Sequence, residues 1–186
     1  MVRYAGVDLA GSPLNPSGLV ILEQLATPRV AYAGLLYGDE DLLYYIEKFK
    51  PYIIAIDAPL TPPHGSSYRR VDLKLLREGY RLLPPGWRGM RALTKRGMRL
   101  AEKLRGVGIR VVETHPGSAL KSSRCSSLSE LLSTMGLTVD IDLSKDLADA
   151  LIASIVALKL KESCVEVYRD SDGEIVLLKP LCMQHY

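Results

Sequence analysis

A nearly continuous apolar run, Tyr52-Ile53-Ile54-Ala55-Ile56, is followed directly by Asp57. A strand without alternation of polar and apolar residues must be covered on both faces, which is the environment of a central strand in a parallel sheet. Pro51 ends a predicted helix over 39–50 immediately before the run. We therefore expect an α/β protein built around this strand.

The other predicted elements lie on both sides of this strand. An antiparallel meander of three strands is predicted over residues 2–9, 18–24 and 29–37. Further elements are predicted as helices over 68–80, 87–106, 127–135 and 144–162, a strand over 108–113, and a hairpin over 164–168 and 174–179. This order predicts a mixed five-stranded sheet flanked by helices, with a basic helical insertion and a C-terminal hairpin. No linker divides the chain, so we expect residues 1–186 to form one domain.

Membrane and secreted classes are disfavoured by the sequence. No apolar run reaches the ~18 residues that a membrane span needs. The short apolar stretch at the start ends in Asp8, which is not typical of a signal peptide. A cytoplasmic protein is therefore expected. The C-terminal hairpin, with Leu177, Leu178 and Leu181, could be a dimer contact or could cover the domain's own core, so the oligomeric state stays open.

The three cysteines, Cys125, Cys164 and Cys182, are odd in number and far apart. They predict neither a zinc site nor a disulfide framework, and we expect ordinary buried or partly buried thiols. Side-chain amides are scarce, as in many thermophilic proteins. They occur at Asn15, Gln24 and Gln184.

Positive charge is concentrated in one segment. Residues 69–110 contain thirteen Lys/Arg and three Asp/Glu, although the net charge of the whole chain is only +3. A basic segment on an acidic body predicts a polyanionic partner, here DNA or RNA, although a solvated helix face is the alternative. The predicted phosphate contacts are Arg69, Arg91, Lys95 and Arg96, with Thr94 and Trp87 as a hydrogen-bonding and a stacking residue.

Acidic residues occur where apolar strands predict burial. Asp8 lies inside the first strand, and Asp57 and Glu113 end two others. A buried charge costs several kcal/mol unless it is compensated. If these strands are parallel neighbours, their carboxyl ends meet at one edge of the sheet, where active sites of α/β proteins tend to lie. A divalent cation would relieve the repulsion between the carboxylates.

The helix over 144–162 adds two further acids. It is apolar nearly all round and is therefore expected to be buried. Asp149 lies past its first turn, and Asp146 precedes it by three residues on nearly the same face. Asp146 could instead interact favourably with the helix dipole. Asp149 could be a polar core residue whose hydrogen bonds are satisfied, and Glu113 could have a structural role.

The combined motifs resemble an uncharacterised prokaryotic family described as predicted nucleases of RNase H-like fold. The resemblance covers residues 4 to about 160. It is carried by Gly6-Val7-Asp8, Ile56-Asp57-Ala58-Pro59-Leu60, Met90-Arg91-x-Leu93-Thr94-x-Arg96-Gly97, Glu113-x-x-Pro116 and Asp146-x-x-Asp149-Ala150. The last motif and the order of the acids are also similar to those of RuvC-type Holliday junction resolvases. Residues 60–106 depart from the resolvases in being larger and more basic, so the resemblance does not extend to recognition of a junction.

This resemblance implies phosphodiester hydrolysis with two Mg²⁺ or Mn²⁺ ions about 4 Å apart. Asp8 would bridge the ions and Asp57 would bind one of them. Asp149 would bind the other, together with Asp146 or Glu113. His115 is a possible proton shuttle, and His64 is a weaker candidate, whereas no role is expected for His185.

Two other functions share parts of this pattern. An actin-like phosphotransferase has a similar sheet, but the sequence contains no glycine-rich phosphate loop and only one copy of the fold is expected. A non-catalytic nucleic-acid-binding module would explain the basic segment. It would not explain the acids, because buried carboxylates do not favour the binding of a polyanion.

Overall fold

A computed structural model describes residues 1–140 and 142–182 of the chain, and these residues form seven strands and six helices. The strands are β1 (Val2–Asp8), β2 (Ser17–Gln24), β3 (Arg29–Leu36), β4 (Ile53–Asp57), β5 (Arg110–Thr114), β6 (Val165–Asp170) and β7 (Gly173–Leu178). The helices are α1 (Gly38–Phe49), α2 (Arg70–Arg77), α3 (Arg88–Gly106), α4 (Pro116–Ser122), α5 (Leu128–Met135) and α6 (Lys145–Lys161). Only α4 was not predicted, since its first residues, Pro116 and Gly117, are typical of turns.

Five strands form one mixed sheet in the order β3-β2-β1-β4-β5. The pairs β1–β2 and β2–β3 are antiparallel, whereas β1–β4 and β4–β5 are parallel. This arrangement, with β6 and β7 as a separate hairpin, confirms the predicted fold class.

The register determines which face each acid occupies. Asp8 lies beside Asp57, and Glu113 lies beside Ile56. Because side chains alternate between the two faces of a strand, Asp8 and Asp57 project from one face and Glu113 from the other.

Apolar residues pack against both faces of the sheet. On one face, Ile53 and Ala55 of β4 belong to a core that includes most of α6. On the other face, Ile54 and Ile56 pack with residues of α1 and α3. The central position that the apolar run predicted for β4 is therefore confirmed.

The C-terminal hairpin covers the core of its own chain. Ile175, Val176, Leu177 and Leu178 of β7 are buried in the same core as α6. The Thr114 hydroxyl donates a hydrogen bond of 2.7 Å to the Val176 carbonyl, which ties β7 to the end of β5. The structure therefore supports the second alternative for the hairpin, in which it covers the core of its own chain.

The prediction of three ordinary thiols is wrong for two of them. Cys125 and Cys182 form a disulfide that spans 57 residues of sequence, and Cys164 is free. The chain before Cys182 folds back so that the N–H of Leu181 donates to the Ser123 carbonyl at 2.9 Å. Cysteine spacing could not reveal this pair, because the contact depends on the return of the C-terminal segment to α4.

Within the described ranges, every helix is too short or too polar to span a bilayer.

Candidate functional site

Three elements bring acidic residues to one edge of the sheet. Asp8 ends β1 and Asp57 ends the parallel strand β4. Helix α6 packs across β1, β2 and β4 on the face from which both acids project, and its first two turns carry Asp146 and Asp149. The predicted grouping of these four acids therefore has a structural basis in the register of two strands and the path of one helix.

Two glycines allow α6 to lie this close to the sheet. A Cβ at Gly6 would lie 2.0 Å from the Ala150 carbonyl oxygen and 2.1 Å from the Ser154 nitrogen. A Cβ at Gly18 would lie 2.4 Å from the Asp146 carbonyl oxygen. Any larger residue would push the start of α6 away from the ends of β1 and β2 and separate the acids.

The electrostatic environment opposes ionisation of these acids. Burial, followed by repulsion from Asp149 and Asp146, raises the pKa of Asp8 from 3.8 to about 7. Burial, followed by repulsion from Asp8 and Asp149, raises the pKa of Asp57 well above its ordinary value. Burial also raises the pKa of Asp149. Strongly shifted carboxyl groups that influence one another are typical of functional sites.

Lys145 is a neighbour of this cluster that the sequence interpretation missed. It is exposed at the first position of α6, one turn before Asp149. Its positive charge opposes the rise in pKa that burial causes at Asp8, Asp57 and Asp149. The four-residue spacing between Lys145 and Asp149 was the available signal, because residues at that spacing lie on one face of a helix.

The donor set fits a hard divalent cation. Within the described ranges, the carboxyl groups of Asp8, Asp57 and Asp149 have no hydrogen bond or ion pair. Carboxylate oxygens are preferred ligands of Mg²⁺ and Mn²⁺. Among the same residues, no group of three or more His, Cys, Asp or Glu side chains has a preformed metal-binding geometry. The carboxylates are thus close enough to repel one another without forming a finished coordination shell.

Glu113 belongs to a different, internal network. Its Oε2 accepts hydrogen bonds of 2.8 Å from Arg69 Nη1 and of 2.8 Å from the Leu60 N–H. Arg69 also donates to Asp72, at 2.7 Å from Nη2 to Oδ1, and all three side chains are buried. Both oxygens of Glu113 are engaged by Arg69, on the face opposite to Asp8 and Asp57. Glu113 nevertheless lines the same cavity as Asp8 and Asp57, and its charge contributes to the raised pKa of Asp57, so its place among the metal ligands stays a prediction.

Two of the four predicted phosphate contacts are corrected by burial. Arg69 is 1 % exposed and is held by Glu113 and Asp72. Arg96 is 2 % exposed; it donates to Asp39 and, at 2.7 Å, to the carbonyl of Ala10. Neither guanidinium has surface to offer a phosphate. Arg96 instead holds the loop that follows Asp8, a role hidden from sequence because its acceptors lie at least 57 residues away along the chain.

The other two predicted contacts are accessible. Arg91 and Lys95 are exposed on α3 and line a groove of about 540 Å³. Thr94 is buried and donates to the Met90 carbonyl within the helix, whereas Trp87 is 55 % exposed at the start of α3.

Of the two histidines in the described part of the chain, His64 and His115, only His115 is next to the acids. It lines a cavity of about 200 Å³ together with Asp8 and Asp57, here called the acid cavity. Its Nδ1 accepts from the Ser118 N–H and lies 2.7 Å from the Ser118 hydroxyl, which fixes the ring at the start of α4. His64 is exposed and does not line the acid cavity, and His185 lies outside the described residues.

Comparison with known proteins relates the chain to RuvC by fold. No model of a known protein family and no curated protein matches the sequence. The structure is similar to Thermus thermophilus RuvC in complex with a Holliday junction substrate, with a TM-score of 0.55, 15% identity, and coverage of 88% of this chain and 97% of that chain. A second structure of Thermus thermophilus RuvC gives a TM-score of 0.54 and 13% identity over 87% of this chain and 97% of that chain. The chain therefore has the RNase H-like fold found in RuvC.

Proposed function

We propose that this protein is a divalent-metal-dependent nuclease that hydrolyses phosphodiester bonds of DNA or RNA. The observation that carries the proposal is the meeting of Asp8, Asp57 and Asp149, from three separate elements, at the carboxyl edge of the sheet. The pKa values of these acids stay raised although Lys145 offsets part of the rise, so their negative charge is only partly compensated, and a bound cation would compensate it further.

Each carboxylate has a proposed role. Asp8 would be a ligand common to the two Mg²⁺ or Mn²⁺ ions, Asp57 would help to hold one of them, and Asp149 with Asp146 would help to hold the other. When bound, the ions supply Lewis acidity to the phosphate and to the attacking water. Glu113 acts as a positioning residue, because its hydrogen bond from the Leu60 N–H holds the loop that follows Asp57.

Neighbouring side chains complete the proposed site. His115 is placed to carry a proton at Nε2, since its Nδ1 is occupied by Ser118. Arg91 and Lys95 contact substrate phosphates, which agrees with the excess of positive charge in residues 69–110. The RuvC structure with a Holliday junction supports nucleic acid as the class of substrate.

Cleavage of labelled single- and double-stranded DNA and RNA with Mg²⁺, with Mn²⁺ and with EDTA tests the proposal. The wild type is expected to cleave at least one substrate only when metal is present. Asp57→Asn should lower the rate by about a hundredfold or more, because it removes a charged ligand. Asp41→Asn, which changes an exposed acid of α1 outside the acid cavity, should leave the rate unchanged. Cleavage that persists in EDTA or in Asp57→Asn would overturn the proposal.

A further inference from the structure

Apolar residues make up much of the lining of the acid cavity. They are Leu82, Leu83 and Pro85, which precede α3, and Met90 and Leu93 in its first turns. We call these residues the apolar wall. Leu83 is 60% exposed. An apolar surface does not stabilise a phosphate group, whereas the faces of unpaired bases can pack against it.

A groove adjoins this wall. Pro85 lines both the acid cavity and the groove of about 540 Å³. One bank of the groove is the loop over 62–67 and the other is the first half of α3. The banks meet where the Gly86 N–H donates to the Ser67 carbonyl at 2.9 Å, and a Cβ at Gly86 would lie 2.8 Å from the Ser67 Cα. The two banks therefore meet at Gly86, and the preceding residue, Pro85, is shared by the groove and the acid cavity.

Helix α3 presents a row of exposed cations, of which Arg91 and Lys95 line this groove. We define the basic stripe as Arg88, Arg91, Lys95 and Arg99, which recur every three or four residues and hence lie on one face of the helix. All four are exposed, and none forms an ion pair with another described residue. A solvated helix face stabilised by pairs of opposite charge would show such ion pairs, so a polyanion is the better occupant.

In the sequence, Trp87 lies between Pro85 of the apolar wall and Arg88 of the basic stripe. Its carbonyl accepts from the N–H groups of Met90 and Arg91, both at 3.0 Å, so its backbone is fixed as the cap of α3. The residue is nonetheless 55 % exposed. A large aromatic surface held open beside cations is the arrangement with which proteins bind the bases and phosphates of single strands.

We propose that the basic stripe, Trp87 and the apolar wall together bind a single strand of nucleic acid and lead it to the acid cavity. The phosphates follow the basic stripe, one unpaired base stacks on Trp87, and the next nucleotides pass the apolar wall. A duplex fits this surface poorly, because its bases are stacked on one another and it is too wide for a cavity of about 200 Å³. The inference rests on the proposed nuclease function for its purpose, but binding can be measured without cleavage.

Intrinsic fluorescence gives a direct test, because Trp87 is the only tryptophan in the chain. The protein is titrated in EDTA with a short single-stranded DNA or RNA and with the corresponding duplex. The single strand is expected to quench the fluorescence and to bind about tenfold or more tightly than the duplex, with an affinity that falls as salt increases.

Charge-matched variants locate the binding surface. Lys95→Glu should weaken single-strand binding about tenfold, whereas Arg77→Glu, which changes an exposed arginine of α2, should not. Trp87→Ala should weaken binding about fivefold or more, measured by anisotropy of a labelled strand. Equal affinity for the duplex, unchanged fluorescence, or equal effects of Lys95→Glu and Arg77→Glu would overturn the inference.

The two proposals can fail separately. Tight, quenching binding of single strands without metal-dependent cleavage would support this inference and overturn the proposed nuclease. Metal-dependent cleavage that is faster on duplexes, without quenching by single strands, would support the nuclease and overturn this inference.

Discussion

Individual acidic residues are held in a state that costs stability. The pKa of Asp8 is raised by burial and by Asp149 and Asp146, so its ionised form is unfavourable in the metal-free protein. Lys145 offsets only part of this repulsion. Functional sites often lower the stability of a protein that lacks its ligand. The destabilising effect of this cluster can be measured as a change in the free energy of unfolding.

Asp8→Asn is expected to stabilise the metal-free protein, and the gain should depend on pH. Between pH 3.8 and about 7 the folded state keeps the Asp8 proton that the unfolded state has lost, so the wild type loses stability as pH rises through this window. Above the window, the free energy of unfolding of the variant should exceed that of the wild type by about 1 kcal/mol, which corresponds to a melting temperature about 2–4 °C higher. Below pH 3.8 the difference should vanish.

Urea unfolding in EDTA at several pH values measures this difference, with Asp41→Asn as the control. A wild type that is more stable than Asp8→Asn at alkaline pH would show that the carboxylate is compensated within the protein. The interpretation of Asp8 as a metal ligand would then lose its physical basis.

Glu113→Gln should distinguish the internal network from the metal site, because it should lower stability and leave metal binding largely unchanged. Removing one partner of a buried ion pair leaves Arg69 with Asp72 alone, and we expect a loss of about 3 kcal/mol in the free energy of unfolding. Affinity for Mn²⁺ should change little at a temperature where the variant is folded. Asp57→Asn should show the reverse pattern, with metal affinity lost and stability kept or raised. Loss of metal binding in folded Glu113→Gln would return Glu113 to the ligands.

At the scale of elements, the path of α6 over β1 and β2 decides where the acids meet. The sequence predicted this helix and its burial, because it is apolar nearly all round. The sequence did not show that Gly6 and Gly18 set the distance between helix and sheet, since a contact of that kind depends on the folded structure.

Gly6→Ala is therefore expected to destabilise the protein by about 3 kcal/mol or more, because its Cβ would overlap the backbone of α6. Gly106→Ala is the matched control. It lies at the end of α3 and a Cβ there would meet no atom within 4 Å, so a neutral or slightly stabilising effect is expected. Urea unfolding of both variants measures the effect. Equal stability of the two would contradict the close packing of α6 on β1.

The acids of the site were more predictable than their partners. Asp8, Asp57 and Asp149 stand out because each is an acid on an apolar element, a pattern that local sequence reveals. The partners of Arg69 and Arg96 are not local: Glu113 lies 44 residues from Arg69, and Ala10 lies 86 residues from Arg96. Both arginines were therefore predicted as phosphate contacts from the charge of their segment, whereas folding buries them.

On the scale of the whole molecule, the C-terminal segment is part of the fold. The hairpin buries β7 against α6, and the disulfide between Cys125 and Cys182 ties the end of the described chain to the region after α4. The wrong prediction for these cysteines followed from counting and spacing alone. A bond across 57 residues is determined by tertiary structure, which spacing does not report.

Reduction should therefore destabilise the whole protein. A cross-link that closes a loop of 57 residues is expected to contribute about 4 kcal/mol by restricting the unfolded chain. Cys125→Ser/Cys182→Ser should unfold at lower urea concentration than the oxidised wild type and should no longer respond to reductant. Cys164→Ser should keep the response of the wild type. Identical unfolding with and without reductant would contradict the cross-link.

Calorimetric titration with Mn²⁺ at mildly alkaline pH, comparing the wild type with Asp8→Asn/Asp57→Asn, tests the central claim most directly. The wild type is expected to bind Mn²⁺ and to release protons on binding, because the raised pKa of Asp8 leaves part of the carboxyl protonated without metal. The double variant should not bind. Absence of binding by the folded wild type, or equal binding by the double variant, would mean that the acids at the sheet edge are not a metal site.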